Sequence, residues 1–188
     1  MNLIDASING NLEEVKELLR GRADPNIVDI HGETPLQWAS YYGHLEVVRE
    51  LLAVGADPNI ANVYGETPLL SASCNGRLKI VRELLYVFAR KDMKGADPNI
   101  ADEDDQTPLL LASRNGKLKV VKELLLVGAN PNIANKYGQT PLGRPTNNKH
   151  FKIVKLLETY FPSLCDLSLK NVRKFRIDVS PIPKNLLE

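Results

Sequence analysis

The chain has 188 residues, a formal net charge of +1 and only two cysteines. This balance excludes a general electrostatic attraction to nucleic acid or to an acidic membrane surface, and two cysteines are too few for a disulfide framework. The N-terminus has no basic-then-apolar signal pattern, and no apolar run approaches the length that spans a bilayer. We therefore expect a cytoplasmic protein in a reducing compartment, with no membrane and no nucleic-acid partner.

One sequence pattern recurs along the chain, and residues 29–61 show it most completely. A Gly-containing turn at 29–32 is followed by Thr34 and Pro35, which suit the N-cap and the first position of a helix. A second helix is predicted after Gly43. Its apolar residues recur at helical spacing: Leu45, Val48, Leu51 and Leu52.

The pattern returns at residues 62–101, 102–134 and 135–161, and a copy without the turn precedes it at 1–28, with a first helix confined to Leu3–Asn9. A period of 33 residues with a Thr-Pro-Leu helix start resembles the ankyrin repeat. The resemblance implies an all-α solenoid over residues 1–161, built of helix pairs with projecting β-turn fingers. A single such unit cannot bury enough apolar surface to fold alone, so the repeats must share a core.

The third and fifth repeats depart from this pattern. The third contains seven additional residues, Phe88–Lys94. Because seven residues are about two helical turns, they predict a continuous helix from about Lys79 to near Asp92, with a loop excursion as the alternative. In the fifth repeat Pro145 lies inside the first helix, which should be short or broken.

The turns depart from it as well. The ankyrin family has a histidine after Thr-Pro-Leu that hydrogen-bonds between neighbouring turns, whereas this chain has Gln37, Leu70 and Leu110 there. The turns are therefore expected to be held more by packing. Asp105 replaces the turn glycine in an acidic run, residues 102–105, and aspartate tolerates left-handed geometry. The run is expected to be solvated rather than to bind a metal.

The sequence contains no constellation typical of an enzyme. There is no phosphate-binding Gly loop, no metal-spaced Cys/His set and no nucleophile elbow, so neither catalysis nor a cofactor is expected. His44 and His150 occupy the same repeat position, directly before the second helix, which favours a structural role.

The resemblance implies a protein target on the concave face, which is formed by the fingers and the first helices. Repeat positions that do not recur are free from packing, and those on the fingers and at the ends of first helices are the candidate partner-binding residues: His31, Glu33, Tyr41, Tyr42, Tyr64, Glu66, Asn75, Asp104, Arg114, Asn115 and Tyr137. Exposed tyrosines are typical interface anchors, although packing between fingers is an equal alternative for them. Trp38 aligns with Leu111 and is predicted to lie in the core.

Residues 162–188 do not continue the repeat and are predicted to form a small helical module. Ser163, Leu164 and Leu167 have the spacing of the start of the suppressor-of-cytokine-signalling (SOCS) box, although Ser168 replaces its cysteine. The resemblance implies that Leu164 anchors in elongin C. It implies that Leu167, Ser168 and Val172 flank that anchor, and that a cullin contacts Pro181, Ile182 and Pro183.

Two functions follow from these resemblances. The first is a non-catalytic substrate-recognition adaptor, monomeric by itself, that recruits elongin B/C and a cullin ubiquitin ligase. The second is a plain repeat scaffold or inhibitor of one partner, in which residues 162–188 only cap the apolar end of the solenoid.

Overall fold

The computed structural model describes residues 2–86, 95–141 and 150–160, and within these ranges the chain is helical with no strand. The described helices are, in chain order, α1 (Leu3–Asn9), α2 (Leu12–Arg20), α3 (Pro35–Tyr42), α4 (Leu45–Ala53), α5 (Pro68–Asn75), α6 (Leu78–Leu85), α7 (Pro108–Arg114), α8 (Leu118–Leu126) and α9 (Phe151–Tyr160). The predicted bounds of α1 are confirmed.

The Thr-Pro starts work as the sequence predicts. Thr34, Thr67 and Thr107 are the N-caps of α3, α5 and α7, and each hydroxyl oxygen accepts a hydrogen bond from the backbone N–H three residues later. Proline follows each threonine as the first helical residue, where its missing N–H is not needed. These local signals fix where the first helix of each complete repeat begins.

The helices form two layers. The first helices α1, α3, α5 and α7 pack against one another in sequence, and α2, α4, α6, α8 and α9 do the same in the second layer. The core between the layers uses one leucine at the same position of each central helix, and all are fully buried: Leu36, Leu69 and Leu109 from the first layer, Leu51, Leu84 and Leu124 from the second. The expected all-α solenoid is confirmed.

The residue before each second helix packs over a glycine of the preceding repeat. A Cβ at Gly10 would overlap the His44 ring, and a Cβ at Gly116 would overlap the His150 ring. The His44 Nε2 also lies 2.9 Å from the carbonyl oxygen of Ile8. The predicted structural role of both histidines is therefore confirmed, since each ring fills the space that a glycine leaves in the neighbouring unit.

The predicted continuous helix from Lys79 to Asp92 is wrong. Helix α6 ends at Leu85, and the backbone of Tyr86 is no longer helical. The reason is a hydrogen bond of 2.8 Å from the Ala96 N–H to the Leu84 carbonyl, which brings the chain back to the helix end. The other repeats close in the same way, with Ala56 donating to Leu51 at 3.0 Å. Residues 88–94 themselves lie outside the described residues.

The last repeat is described only in part. Residues 142–149, where Pro145 is predicted to break the first helix, lie outside the described residues, as do residues 162–188. In α9, Ile153 and Leu157 are each 1% exposed, which extends the core, but Phe151 is 70% exposed and does not contribute to it. The second layer therefore continues into the fifth repeat.

Candidate functional site

The finger turns are all closed by the same pattern of side-chain-to-backbone hydrogen bonds. The first residue of each turn is an aspartate or asparagine whose Oδ1 accepts the backbone N–H groups two and four residues later, at 2.8–3.1 Å: Asp29, Asn62, Asp102 and Asn135. Asp105 takes the place of glycine with φ 58°, so the expected left-handed aspartate is confirmed. Asp102 of the acidic run has a structural role, because its side chain closes its own turn. The described residues contain no cluster suited to a metal.

Backbone hydrogen bonds link each finger to the next. The N–H of Val63 donates to the His31 carbonyl at 2.9 Å, and the N–H of Lys136 donates to the Asp104 carbonyl at 3.0 Å. The side chain of Gln37 also reaches the next finger, because its Nε2 donates to the Glu66 carbonyl at 3.0 Å. The expectation that the turns are held more by packing is therefore wrong at Gln37, whose amide makes a bond between turns. At the equivalent positions Leu70 and Leu110 have no side-chain donor for such a bond.

Three aromatic rings form a cluster on α3. The Trp38 and Tyr42 rings stack with centroids 5.9 Å apart, and the Tyr41 ring meets both edge-on, at 6.3 Å from Trp38 and 5.1 Å from Tyr42. Tyr41 is 48% exposed and Tyr42 is 45% exposed. Such offset and edge-to-face contacts hold the rings in fixed positions while their outer surfaces stay in solvent.

The prediction that Trp38 belongs to the core is wrong. Trp38 is only half-buried, and its indole Nε1 donates to an Asp29 carboxylate oxygen at 3.1 Å. Leu111, at the equivalent position, is 7% exposed. An indole is larger than a leucine side chain and carries a donor that needs a partner, so the ring turns towards the finger instead.

The aromatic cluster forms one wall of a hollow on the face made by the fingers and the first helices. The hollow has a volume of about 360 Å³, and its lining residues are Glu33, Gln37, Trp38, Tyr41, Tyr42, Glu66 and Ser71. The Asn62 Nδ2 donates to a carboxylate oxygen of Glu33 at 3.1 Å and to one of Glu66 at 3.2 Å. One amide therefore holds two carboxylates of adjacent fingers together.

The pKa values of Glu33 and Asp29 are shifted in opposite directions. Burial raises the pKa of Glu33, and the nearby charges of Asp29 and Glu66 add to that effect. Burial acts in the same direction on Asp29, but hydrogen bonds from the N–H groups of Glu33 and His31 and from the Trp38 indole lower the Asp29 pKa below its usual value. Asp29 thus stays ionised as a structural acceptor, while Glu33 holds its charge at a cost.

The structure brings four of the candidate partner-binding residues around this hollow: Glu33, Tyr41, Tyr42 and Glu66. Sequence reasoning missed three lining residues, Gln37, Trp38 and Ser71. The available signal was the change from Trp38 to Ser71 to Leu111 at one repeat position, which indicates that packing does not fix it.

The other candidates lie elsewhere along the same face. His31, Tyr64, Asp104 and Tyr137 are on the fingers, where Tyr64 is 55% and Tyr137 is 69% exposed, which favours solvent-facing rings over packing between fingers. The remaining three are at the ends of α5 and α7 and donate hydrogen bonds within the solenoid: Asn75 to the Ser71 carbonyl, Arg114 to Gln106, and Asn115 to Cys74. The docking residues from Leu164 to Pro183 lie outside the described residues.

Comparison with known proteins identifies the family. The family model for ankyrin repeats (3 copies) matches residues 3–94 and 87–166. A search of curated proteins found no match. In the described part of the chain, no helix has the length and apolar character needed to cross a membrane. The matched residues cover most of the sequence and coincide with the helix pairs, so the chain belongs to the ankyrin-repeat family.

Proposed function

We propose that the chain is a non-catalytic protein-binding module whose target contacts the face made by the fingers and the first helices. Ankyrin repeats bind protein partners, so the family supports an interaction role. The observation that carries the choice of surface is the exposed aromatic cluster of Trp38, Tyr41 and Tyr42 beside the finger carboxylates.

Tyrosine and tryptophan are enriched among the residues that dominate binding energy at interfaces. Here Tyr41 is 48% exposed and Tyr42 is 45% exposed, whereas the core of the same solenoid is built from smaller aliphatic side chains. Because the three rings already contact one another, little side-chain entropy remains to be lost when a partner covers them. The cluster is therefore suited to anchor a target.

Site-specific photocrosslinking tests this proposal. A benzophenone amino acid at position 41 is expected to form a covalent adduct with a discrete protein partner in cells of the source organism. The matched control places the same group at position 119, an exposed lysine on α8 in the second layer. Adducts of equal yield at both positions would contradict the proposed surface, since a random collision does not distinguish the two faces.

The sequence of residues 163–183 supports a more specific role as a ubiquitin-ligase adaptor. In this role the repeats hold a target, Leu164 inserts into elongin C, and Pro181 to Pro183 contact a cullin. An amphipathic helix docking in a groove, followed by a rigid proline-containing segment, is a common mode of peptide recognition. The chain would then contribute proximity, while its partners carry out the chemistry.

Co-expression with elongin B and elongin C tests the adaptor role. The wild-type chain should co-purify with both, and Leu164→Asp should abolish this while leaving the melting temperature nearly unchanged, because an exposed anchor contributes little to the isolated fold. The matched control is Leu169→Asp, at a position where the SOCS box has arginine, and it should retain elongin. If the wild type does not co-purify and Leu164→Asp lowers stability by several kcal/mol, residues 162–188 act only as a cap.

A further inference from the structure

The hollow beside α3 combines an aromatic wall with negative charge. Glu33 and Glu66 line it together with Trp38, Tyr41 and Tyr42. No salt bridge between described residues involves either glutamate; all of those in the described part of the chain lie on the second layer of helices. The two carboxylates share one neutral donor, the Asn62 amide, at 3.1 and 3.2 Å. The hollow therefore carries two carboxylates that have no salt-bridge partner among the described residues, next to partly exposed aromatic rings.

We propose that this hollow binds one arginine side chain of the protein partner, with the guanidinium against the aromatic rings and its charge paired with Glu33 and Glu66. The inference rests on the proposed function, because it names the kind of residue that the partner presents to this face.

Charge complementarity selects this occupant. A cation over the face of a tryptophan or tyrosine ring is attracted by the ring quadrupole, and a nearby carboxylate strengthens the attraction. An apolar side chain would remove water from two carboxylates without replacing their hydrogen bonds, and an acidic one would be repelled. Burial already raises the pKa of Glu33, so a cation would offset a cost that the free protein carries.

Gln37 gives a second, independent indication. It lines the hollow and is 2% exposed, and its Oε1 has no hydrogen-bond partner among the described residues. A buried acceptor without a partner is unfavourable, so a side-chain shift that turned this oxygen towards an N–H donor in the hollow would be stabilising. Arginine has five N–H donors in a planar fork, so one side chain can donate to both carboxylates, whereas lysine offers a single ammonium point.

Trp38 allows a direct test because it is the only tryptophan of the chain. The probes are four blocked peptides that share a Gly-Ser-Leu-X-Leu-Ser-Gly frame, with arginine, lysine, citrulline or glutamate at X. Binding is followed through Trp38 fluorescence and its indole N–H resonance. The arginine peptide is expected to bind at least about fivefold more tightly than the isosteric, uncharged citrulline peptide, with lysine in between and glutamate weakest. The preference should weaken as salt is added.

The double variant Glu33→Gln/Glu66→Gln should remove the difference between arginine and citrulline, since glutamine keeps an acceptor for Asn62 but not the charge. The matched control, Glu17→Gln/Glu103→Gln, removes two exposed carboxylates elsewhere and should keep it. Equal Trp38 responses to arginine and citrulline, or no response to either, would overturn the inference. Adduct formation from position 41 would then still show a protein partner, so the two failures are distinguishable.

Discussion

Gln37→Leu should stabilise the fold, although it removes a hydrogen bond from the interior. The Gln37 Nε2 donates to the Glu66 carbonyl at 3.0 Å, whereas Oε1 has no partner among the described residues. The Glu66 carbonyl also accepts the Asn62 N–H at 3.0 Å. It therefore stays hydrogen-bonded when the amide is removed, and the substitution leaves no new unpaired group.

The magnitudes decide the sign. A hydrogen bond contributes about 1 kcal/mol net, whereas a buried acceptor without a partner costs about 1–3 kcal/mol. Leucine also suits the position, because Leu70 and Leu110 occupy it in the next two repeats and are each 1% exposed. We expect the free energy of unfolding to rise by about 1–2 kcal/mol, and the melting temperature to rise by about 3–6 °C.

Urea and thermal unfolding followed by far-ultraviolet circular dichroism measure the change without relying on Trp38, which is adjacent to the substitution. The matched control is the reverse change in the next repeat, Leu70→Gln, which should destabilise because it introduces an amide where leucine is 1% exposed. A clear fall in stability for Gln37→Leu would refute the reasoning, since it would mean that both polar atoms of Gln37 are satisfied.

Two further substitutions test the turns and caps. Thr67 is 1% exposed and its Oγ1 accepts the Leu70 N–H at 3.3 Å, so Thr67→Ala should lower the unfolding free energy by about 1–2 kcal/mol in urea titrations, while Thr67→Ser should keep most of it. A loss below about 0.3 kcal/mol would contradict the capping role. The folded pKa of Asp29 lies below its unfolded value, so Asp29 contributes stability above about pH 4 that is lost as the pH falls through the folded pKa. Asn62 occupies the equivalent position in the next finger, so Asp29→Asn should preserve the turn. The variant should flatten the acidic part of a plot of unfolding free energy against pH. An unchanged slope there would contradict the role given to the Asp29 carboxylate.

Local signals made the helix starts predictable from sequence. The threonine N-cap and the proline at the first helical position both act within four residues of each helix start. The starts of α3, α5 and α7 could therefore be placed without knowledge of the neighbouring repeats. The repeat period then supplied the layers, because identical apolar positions in successive units must face the same core.

Long-range contacts were not predictable in this way. The end of α6 depends on a hydrogen bond from Ala96, which follows the insertion, and the pairing of Glu33 with Glu66 depends on Asn62 between two fingers. Trp38 was misassigned because aligning it with Leu111 assumes that equivalent positions have the same surroundings in every repeat. In fact that position is at the edge of the core, where side-chain size decides between interior and surface.

Because the Ala96 N–H donates to the Leu84 carbonyl, the number of residues in the third repeat can change without changing how the repeats stack. A Cβ at Gly95 would overlap the Leu85 carbonyl oxygen, so glycine permits the two ends of the insertion to meet. Additional sequence can then enter between these ends while α6 still packs between α4 and α8. This junction is consequently a point at which the chain can acquire, exchange or lose a segment without rebuilding the solenoid, and an engineered peptide grafted there would leave the binding face of the other repeats in place.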